Sequence, residues 1–453
     1  MKKRLPALIL AAIMLACFLS PGAAAANRQV TIVDNPYRDV DWNTWSAYRA
    51  ALHTHSTLSD GYASLPDMVE AHYARGYDIL AMTDHGVTDR SWTKPNYTPL
   101  LQWVQQVDKD TPFFPKQEGL SEARFREITE GVGEGRDGRG MLRVPYGIEL
   151  NATAMDKSHV NSFFCDWGTA FVGGTFDLET PVRTVNRRGG LCFLNHVSDV
   201  TFNKGLPYEE SYEGWRYNRV YLIQRLLEKY PALLGIEIPD GEDHKLWDLL
   251  LINIAPKGRN IFGFNTTDAH RVDGKLDRGW VLALMPENTV ENLRACMETG
   301  AMLSFAHYIN SYWQLDRWNE ETGLHWGERH WNADQTQPDP EILRITAGNG
   351  SIAIEHENVT AMHWISNGRV ISTQSSIDLN TVEGLGAYVR AELIGPGGIL
   401  YTQPFLLSYE GMPAGRDLPA TYFEHGWIFA FFRNLLFYPI AFVADQISLL
   451  RYR

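Results

Sequence analysis

The chain has 453 residues, 44% hydrophobic and 21% charged, which is enough apolar material for a buried core and more length than one average domain needs. Its formal net charge of −13 argues against a general nucleic-acid binder, which needs a basic face, but is compatible with a small anionic substrate held by cations.

Residues 1–26 read as an export signal. Lys2, Lys3 and Arg4 precede an apolar run from Leu8 to Leu19, and Ala23 to Ala26 supply the small residues of a cleavage site. Cys17 follows a poor lipobox, so cleavage near Ala26 is the expectation and an uncleaved anchor the alternative. The expected location is therefore periplasmic or extracellular. Cys165, Cys192 and Cys296 would remain. An odd count without a Cys-x-x-Cys pair predicts buried free thiols.

Leu52 to Gly61 reads LHTHSTLSDG, so His53 and His55 point to one side of a strand and Asp60 sits in a turn. A His-x-His pair alone is more often two solvated side chains. Ser64, Pro66 and Asp67 cap a helix that Gly76 ends, with His72 expected as a surface packing residue. The apolar run from Tyr77 closes on Asp84 and His85.

Residues 87–140 form a long insert. Its stretch Gly131 to Gly140 is expected to be a solvated loop, because no Lys-Ser/Thr follows and no strand precedes it. Lys94, Lys116, Arg124 and Arg126 are anion-contact candidates there. The run Met141 to Leu150 predicts one strand carrying Glu149, and His159 follows ten residues later.

Beyond it, helices and strands alternate. Helices are expected over 178–188, 217–230 and 244–254. Strands are expected over 191–194, 233–238, 261–265, 280–285 and 302–305. One apolar run ends in His196, and another in Asp268 and His270. Candidate ligands therefore gather at the C-terminal ends of strands, where α/β folds bind ligands. Repeated βα units imply a largely parallel, closed sheet.

These motifs resemble the PHP (polymerase and histidinol phosphatase) superfamily. They are HTH with SDG, TDH, GIEL, the later SH, the strand-end NH and TDAH, spread over about residues 48 to 305. The resemblance implies a distorted (β/α)7 barrel over 27–310 and a cluster of two or three divalent ions, Zn, Mn or Fe. It assigns His53, His55, Glu149 and Asp268 to the first ion. Glu149, His159 and His196 would hold the second, with Glu149 bridging, and Asp60, His85 and His270 the third. The family often has Pro after the strand-end His, where this chain has Val197. The expected function is an exported metal-dependent phosphoesterase using a metal-activated hydroxide. The alternatives are a carboxylic or carbamate ester hydrolase on the same cluster, and a non-catalytic metal-dependent binding module. Asp84 is expected to orient a ligand imidazole. His270, His307 or a metal-bound water would be the general acid. Lys157, Lys204 and Arg271 are candidate contacts to a small anionic substrate.

Residues 311–340 read as a linker, and 341–410 as a small antiparallel β-sandwich-like module with His356 and His363 on its surface. In the tail, 411–453, residues 427–444 are apolar and aromatic but contain Arg433, Asn434 and Pro439. An imperfect membrane span, an interfacial helix and a segment packed on the body are the three readings, and membrane contact is the expected one.

Overall fold

The computed structural model describes residues 28–96, 98, 118–153, 156–170, 175, 177–201, 215–310, 330–415 and the single positions 435, 439 and 443. The expected leader, Lys116, Lys204, residues 311–329 of the expected linker and nearly all of 427–444 lie outside the described residues. Among the described residues no helix is long and apolar enough to cross a membrane.

The chain opens with strands β1 (Thr31–Asp34) and β2 (Ser46–Ala51), helix α1 (Leu65–Ala74) and strand β3 (Ile79–Leu80). Ser64 caps α1 by accepting from the Asp67 amide, and the helix buries Leu65, Met68 and Val69. It buries His72 as well. That corrects the surface expectation: the imidazole donates from Nδ1 to the Met68 carbonyl and packs edge-on against Tyr77. Helix α2 (Glu122–Glu130) and strand β4 (Leu142–Arg143) lie in the insert. Its glycine-rich stretch is a largely exposed loop, as expected, but it is pinned at one point. Arg136 within it is 4% exposed and donates to the carbonyls of Tyr73, Tyr77 and Arg139, which docks the stretch on α1.

The expected strand 141–150 splits at Pro145 and Tyr146, the latter at φ 61°. Strand β5 (Ile148–Thr153) then begins a hairpin with β6 (Asp156–Phe163). A Cβ on Gly147 would lie 2.4 Å from the Met82 carbonyl oxygen, so only glycine lets β5 start against the strand end that carries His85. Helix α3 (Glu179–Arg187) leads to β7 (Leu191–Asn195). The short α4 (Ser198–Thr201) and α5 (Trp215–Lys229) lead to β8 (Leu233–Glu237), and α6 (Gly241–Ile254) to β9 (Phe262–Phe264). Strand β10 (Gly279–Met285), helix α7 (Val290–Thr299) and strand β11 (Met302–Ala306) follow.

Strands β12 (Tyr308–Asn310) and β13 (His330–Asn332) form a two-stranded ribbon. Then come β14 (Glu341–Gly348), β15 (Ser351–Glu357), β16 (Ala361–Ser366), β17 (Arg369–Ser372) and β18 (Ser376–Asp378). The last are β19 (Tyr388–Gly395), β20 (Gly398–Thr402) and β21 (Phe405–Ser408). The antiparallel strands expected over 341–410 are present, but their hydrogen bonding does not stop at residue 341. β20 pairs with β11, and β21 pairs with the N-terminal β1. His356 is half-buried on β15, whereas His363 on β16 is only 4% exposed, which corrects its surface placement.

The fold is mixed α/β. β5 to β9 form one five-stranded sheet in chain order, and β2, β3, β4, β10 and β11 belong to an 11-stranded sheet. The expectation of a largely parallel sheet does not hold. Only two residues join β5 to β6, too few for a parallel crossover, so β5, β6 and β7 run antiparallel. β10 is antiparallel to both β2 and β11. No continuous ring of strand pairing closes a barrel among the described residues. The sheets meet at two isolated parallel bridges, His85 with Glu149 and Thr54 with Ala269. Beneath these bridges one apolar cluster draws on both sheets, with Ala50, Ile79, Phe163, Phe193, Leu234, Phe264 and Val281 all buried. Phe193 and Phe264 stack at 4.4 Å. The strand ends above this layer are held at fixed spacing.

A buried charge network fastens α6 to β19. Arg390, fully buried, makes paired bonds of 2.9 Å to both Asp248 oxygens and one of 2.7 Å to Glu392. Tyr388 donates to Asp248 at 2.9 Å. Removing one partner strands the other charges out of water, so Arg390→Met should destabilise by about 3–5 kcal/mol in urea unfolding. Adding Asp248→Leu and Glu392→Leu should recover most of that loss, and a single variant of wild-type stability would refute the role of the network.

Burial lowers the His72 pKa to about 4. The unfolded chain then binds a proton that the folded one refuses, so stability is complete above the ordinary His value of about 6.5 and drains as pH falls toward 4. Between pH 7 and pH 5 the wild type should lose about 2 kcal/mol more than His72→Gln in parallel urea titrations. Equal losses would count against it.

Candidate metal centre

Most of the polar side chains cluster where strands end, with Glu149 at a strand start and His159 within a strand as the exceptions. His53 and His55 follow β2, Asp84 and His85 follow β3, and Glu149 opens β5. His159 lies on β6, His196 follows β7, Glu237 ends β8, and Asp268 and His270 follow β9. Strand periodicity turns His53 and His55 to one side.

Glu149 sits at the centre and is 1% exposed. Its Oε2 lies 3.1 Å from His53 Nε2, 3.0 Å from His55 Nε2 and 3.3 Å from His85 Nε2. Its Oε1 faces another set, 2.9 Å from His159 Nδ1 and 3.3 Å from His196 Nε2, and accepts from Asn195 at 2.7 Å. Asp268 Oδ1 lies 3.2 Å from His53 Nε2 and 3.1 Å from His55 Nε2, which are themselves 3.0 Å apart. Asp60 lies 3.3 Å from His55 Nδ1, 3.7 Å from His85 Nε2 and 3.2 Å from His270 Nε2. All nine expected ligand residues therefore fall in one contact network. The grouping differs at two points: His55, Asp60 and His85 converge as a triad while His270 stacks on His55 at 4.3 Å, and His85 rather than His196 converges with Glu149 and His159.

The donor set fits a divalent cation. It consists of imidazole nitrogens and carboxylate oxygens without sulfur, which suits Zn, Mn or Fe. Ligand atoms around a tetrahedral ion at about 2.0–2.1 Å stand about 3.3 Å apart. The measured separations among His53, His55, Glu149 and Asp268 are 3.0–3.2 Å. The electrostatics agree. Burial alone would lower the pKa values of His53 and His55, yet the surrounding carboxylates raise both well above the usual value. Burial would likewise raise Glu149, but His85, His53 and His159 hold its carboxyl well below the usual range. Both shifts express one field that favours positive charge. Burial pushes His85 down to about 4, so its lone pair is free of a proton at neutral pH.

Asp84 has a different task from the one expected. It accepts from the amides of Ser56 and Ser59 at 2.7 and 3.1 Å and from both hydroxyls, so it fixes the turn after His55 and not an imidazole. His307 also has other partners: its ring nitrogens face the Asp277 carbonyl and Asp339, each at 2.9 Å. The Arg124 guanidinium is engaged by the carboxylates of Glu70 and Glu127. Arg126 donates to the Glu122 carbonyl, and Lys94 is exposed. Lys157 lies on β6, and Lys204 is outside the described residues. Arg271 stacks over the exposed Tyr62 ring at 3.7 Å, and among the described residues no carboxylate pairs with it.

Sequence reading missed Glu237 and Asn195. Glu237 Oε1 accepts from His53 Nδ1 at 2.6 Å, and its Oε2 from the His196 amide at 2.7 Å. A signal was there: Gly147-Ile148-Glu149 recurs as Gly235-Ile236-Glu237, again at a strand end.

No protein-family model matches the chain. A 5′-3′ exoribonuclease from Haemophilus influenzae is 23% identical over 184 residues, spanning 32% of this chain and 67% of that protein. Among solved structures, the chain is similar to a two-domain protein from Bacteroides vulgatus containing a predicted PHP-like metal-dependent phosphoesterase. That likeness has a TM-score of 0.39 and 14% identity, over 83% of this chain and 98% of the other. A candidate metal-dependent phosphoesterase from Bifidobacterium adolescentis gives a TM-score of 0.29 and 13% identity, over 49% and 87%.

The geometry generates a metal-content prediction. Purified protein reconstituted with Zn, Mn or Fe should carry at least two ions per chain by elemental analysis, and His55→Ala or Asp268→Ala should lose at least one. Absence of metal after reconstitution would remove the cluster.

Proposed function

We propose that the protein is a PHP-type metal-dependent hydrolase that cleaves phosphate esters of small molecules. The observation that carries the reading is Glu149, a buried carboxylate whose two oxygens face two different sets of imidazoles. That arrangement supports a bridging role, because a carboxylate has two oxygens to offer. Ions bound there would neutralise phosphate charge and acidify a water molecule.

The chain's own residues supply the rest. Asn195 and the imidazoles orient Glu149, and Asp84 holds the His55 to Asp60 turn in register. His270 is the most solvent-accessible of the six imidazoles, with Nδ1 on the Asp268 carbonyl and Nε2 toward Asp60. We assign it the delivery of a proton to the leaving oxygen. Arg271, adjoining His270 and stacked on Tyr62, is the proposed contact to the substrate anion. The likeness to an exoribonuclease agrees with phosphoester chemistry, while the net charge of −13 points away from long nucleic acid.

One panel tests the reading: aryl phosphate, aryl phosphodiester, aryl acetate and aryl carbamate, each with and without chelator. Chelator-sensitive turnover of a phosphate ester is expected, with kcat/KM reduced at least about 100-fold in Glu149→Ala. Arg271→Ala should raise KM for the phosphate about tenfold and leave neutral esters unchanged. Chelator-sensitive turnover confined to the acetate or carbamate would replace phosphate by a carbonyl ester as substrate.

A further inference from the structure

Glu237 is 1% exposed, and both of its oxygens are engaged. Oε1 lies 2.6 Å from His53 Nδ1 and also accepts from Thr266 Oγ1 at 2.7 Å. A carboxylate only accepts, so the Nδ1 of His53 carries a proton. The ring is thereby oriented with Nε2 toward Glu149 and Asp268. Oε2 accepts the His196 amide at 2.7 Å. His196 has φ 31°, a backbone conformation that non-glycine residues rarely adopt and that needs an external hold. That backbone aims the His196 ring at Glu149 Oε1, whereas His53 faces Glu149 Oε2.

We infer that Glu237 is a positioning residue which presets both metal positions at once, one oxygen fixing the protonation and orientation of His53, the other fixing the backbone that presents His196. The inference rests on the metal-centre reading proposed above. It gives the site a single buried group through which the two ligand sets are ordered before any ion arrives.

Glu237→Gln keeps the shape and separates this role from simple packing. The amide has one accepting oxygen and one donating NH2. Whichever way it turns, the NH2 meets a donor, either His53 Nδ1–H or the His196 amide. Zinc titration of the stripped protein should show about 10- to 100-fold weaker binding than wild type. Nitrogen-edited NMR of histidine-labelled, metal-free protein should show the His53 Nδ1–H signal lost or displaced, with unchanged far-ultraviolet circular dichroism. Wild-type zinc affinity together with an unchanged Nδ1–H signal would overturn the inference. If Glu237→Gln does not fold, Glu237→Asp decides. With its carboxylate drawn back by one methylene, that variant should hold His53 and His196 less well and bind zinc about tenfold more weakly, and wild-type affinity there also overturns it. If wild-type protein itself takes up none of Zn, Mn and Fe, the hydrolase reading fails, and the metal-free Nδ1–H comparison still decides the role of Glu237.

Discussion

The Glu149 carboxylate is charged, buried and crossed by neither solvent nor a basic side chain. Among the described residues its counterweights are imidazoles and the Asn195 amide. Taking a carboxylate out of water costs several kcal/mol unless positive charge or hydrogen bonds replace the lost hydration. The surrounding architecture meets that demand. Gly147 lets β5 start against the Met82 carbonyl, and the bridge from His85 to Glu149 then joins two sheets at the point where the charge is placed.

The same demand explains the division of labour among the other carboxylates. Asp60 and Asp268 face imidazoles and share in the cation-seeking field. Asp84 is equally buried but is spent on backbone amides and hydroxyls, with burial raising its pKa. Glu237 stands one shell behind, where acceptors alone are needed. A rigid floor makes such differentiation useful. The apolar layer of Phe163, Phe193 and Phe264 under the strand ends leaves the ligand-bearing residues little freedom to drift, because close-packed interiors transmit displacement.

The C-terminal strands contribute at a distance. Through β20 on β11 they extend the sheet that carries His53 and His55, and through Arg390 on Asp248 they clamp the helix that follows β8. The N-terminal strand β1 closes on β21, so both ends of the described chain reinforce one body of sheet.

By itself the sequence determined what local chemistry can determine. Alternating His53 and His55, an apolar run ending in Asp84 and His85, and Asp268-Ala-His270 are short-range patterns, and strand periodicity turns them into neighbours without reference to anything distant. The capped helix at Ser64 and the strands over 191–195 and 233–237 were legible for the same reason. Strand direction was not, because periodicity is identical in parallel and antiparallel pairs, and only the two-residue link between β5 and β6 decides it. Burial of His72, Arg136 and His363 was also hidden, since a polar side chain enters a core only when a partner from another element meets it. Glu237 shows the limit most sharply. Its tripeptide repeats that of Glu149, yet one carboxylate lies among the imidazoles and the other behind them. That distinction exists only once folding has brought His53 Nδ1 within 2.6 Å of the Glu237 carboxylate, 184 positions away in the chain.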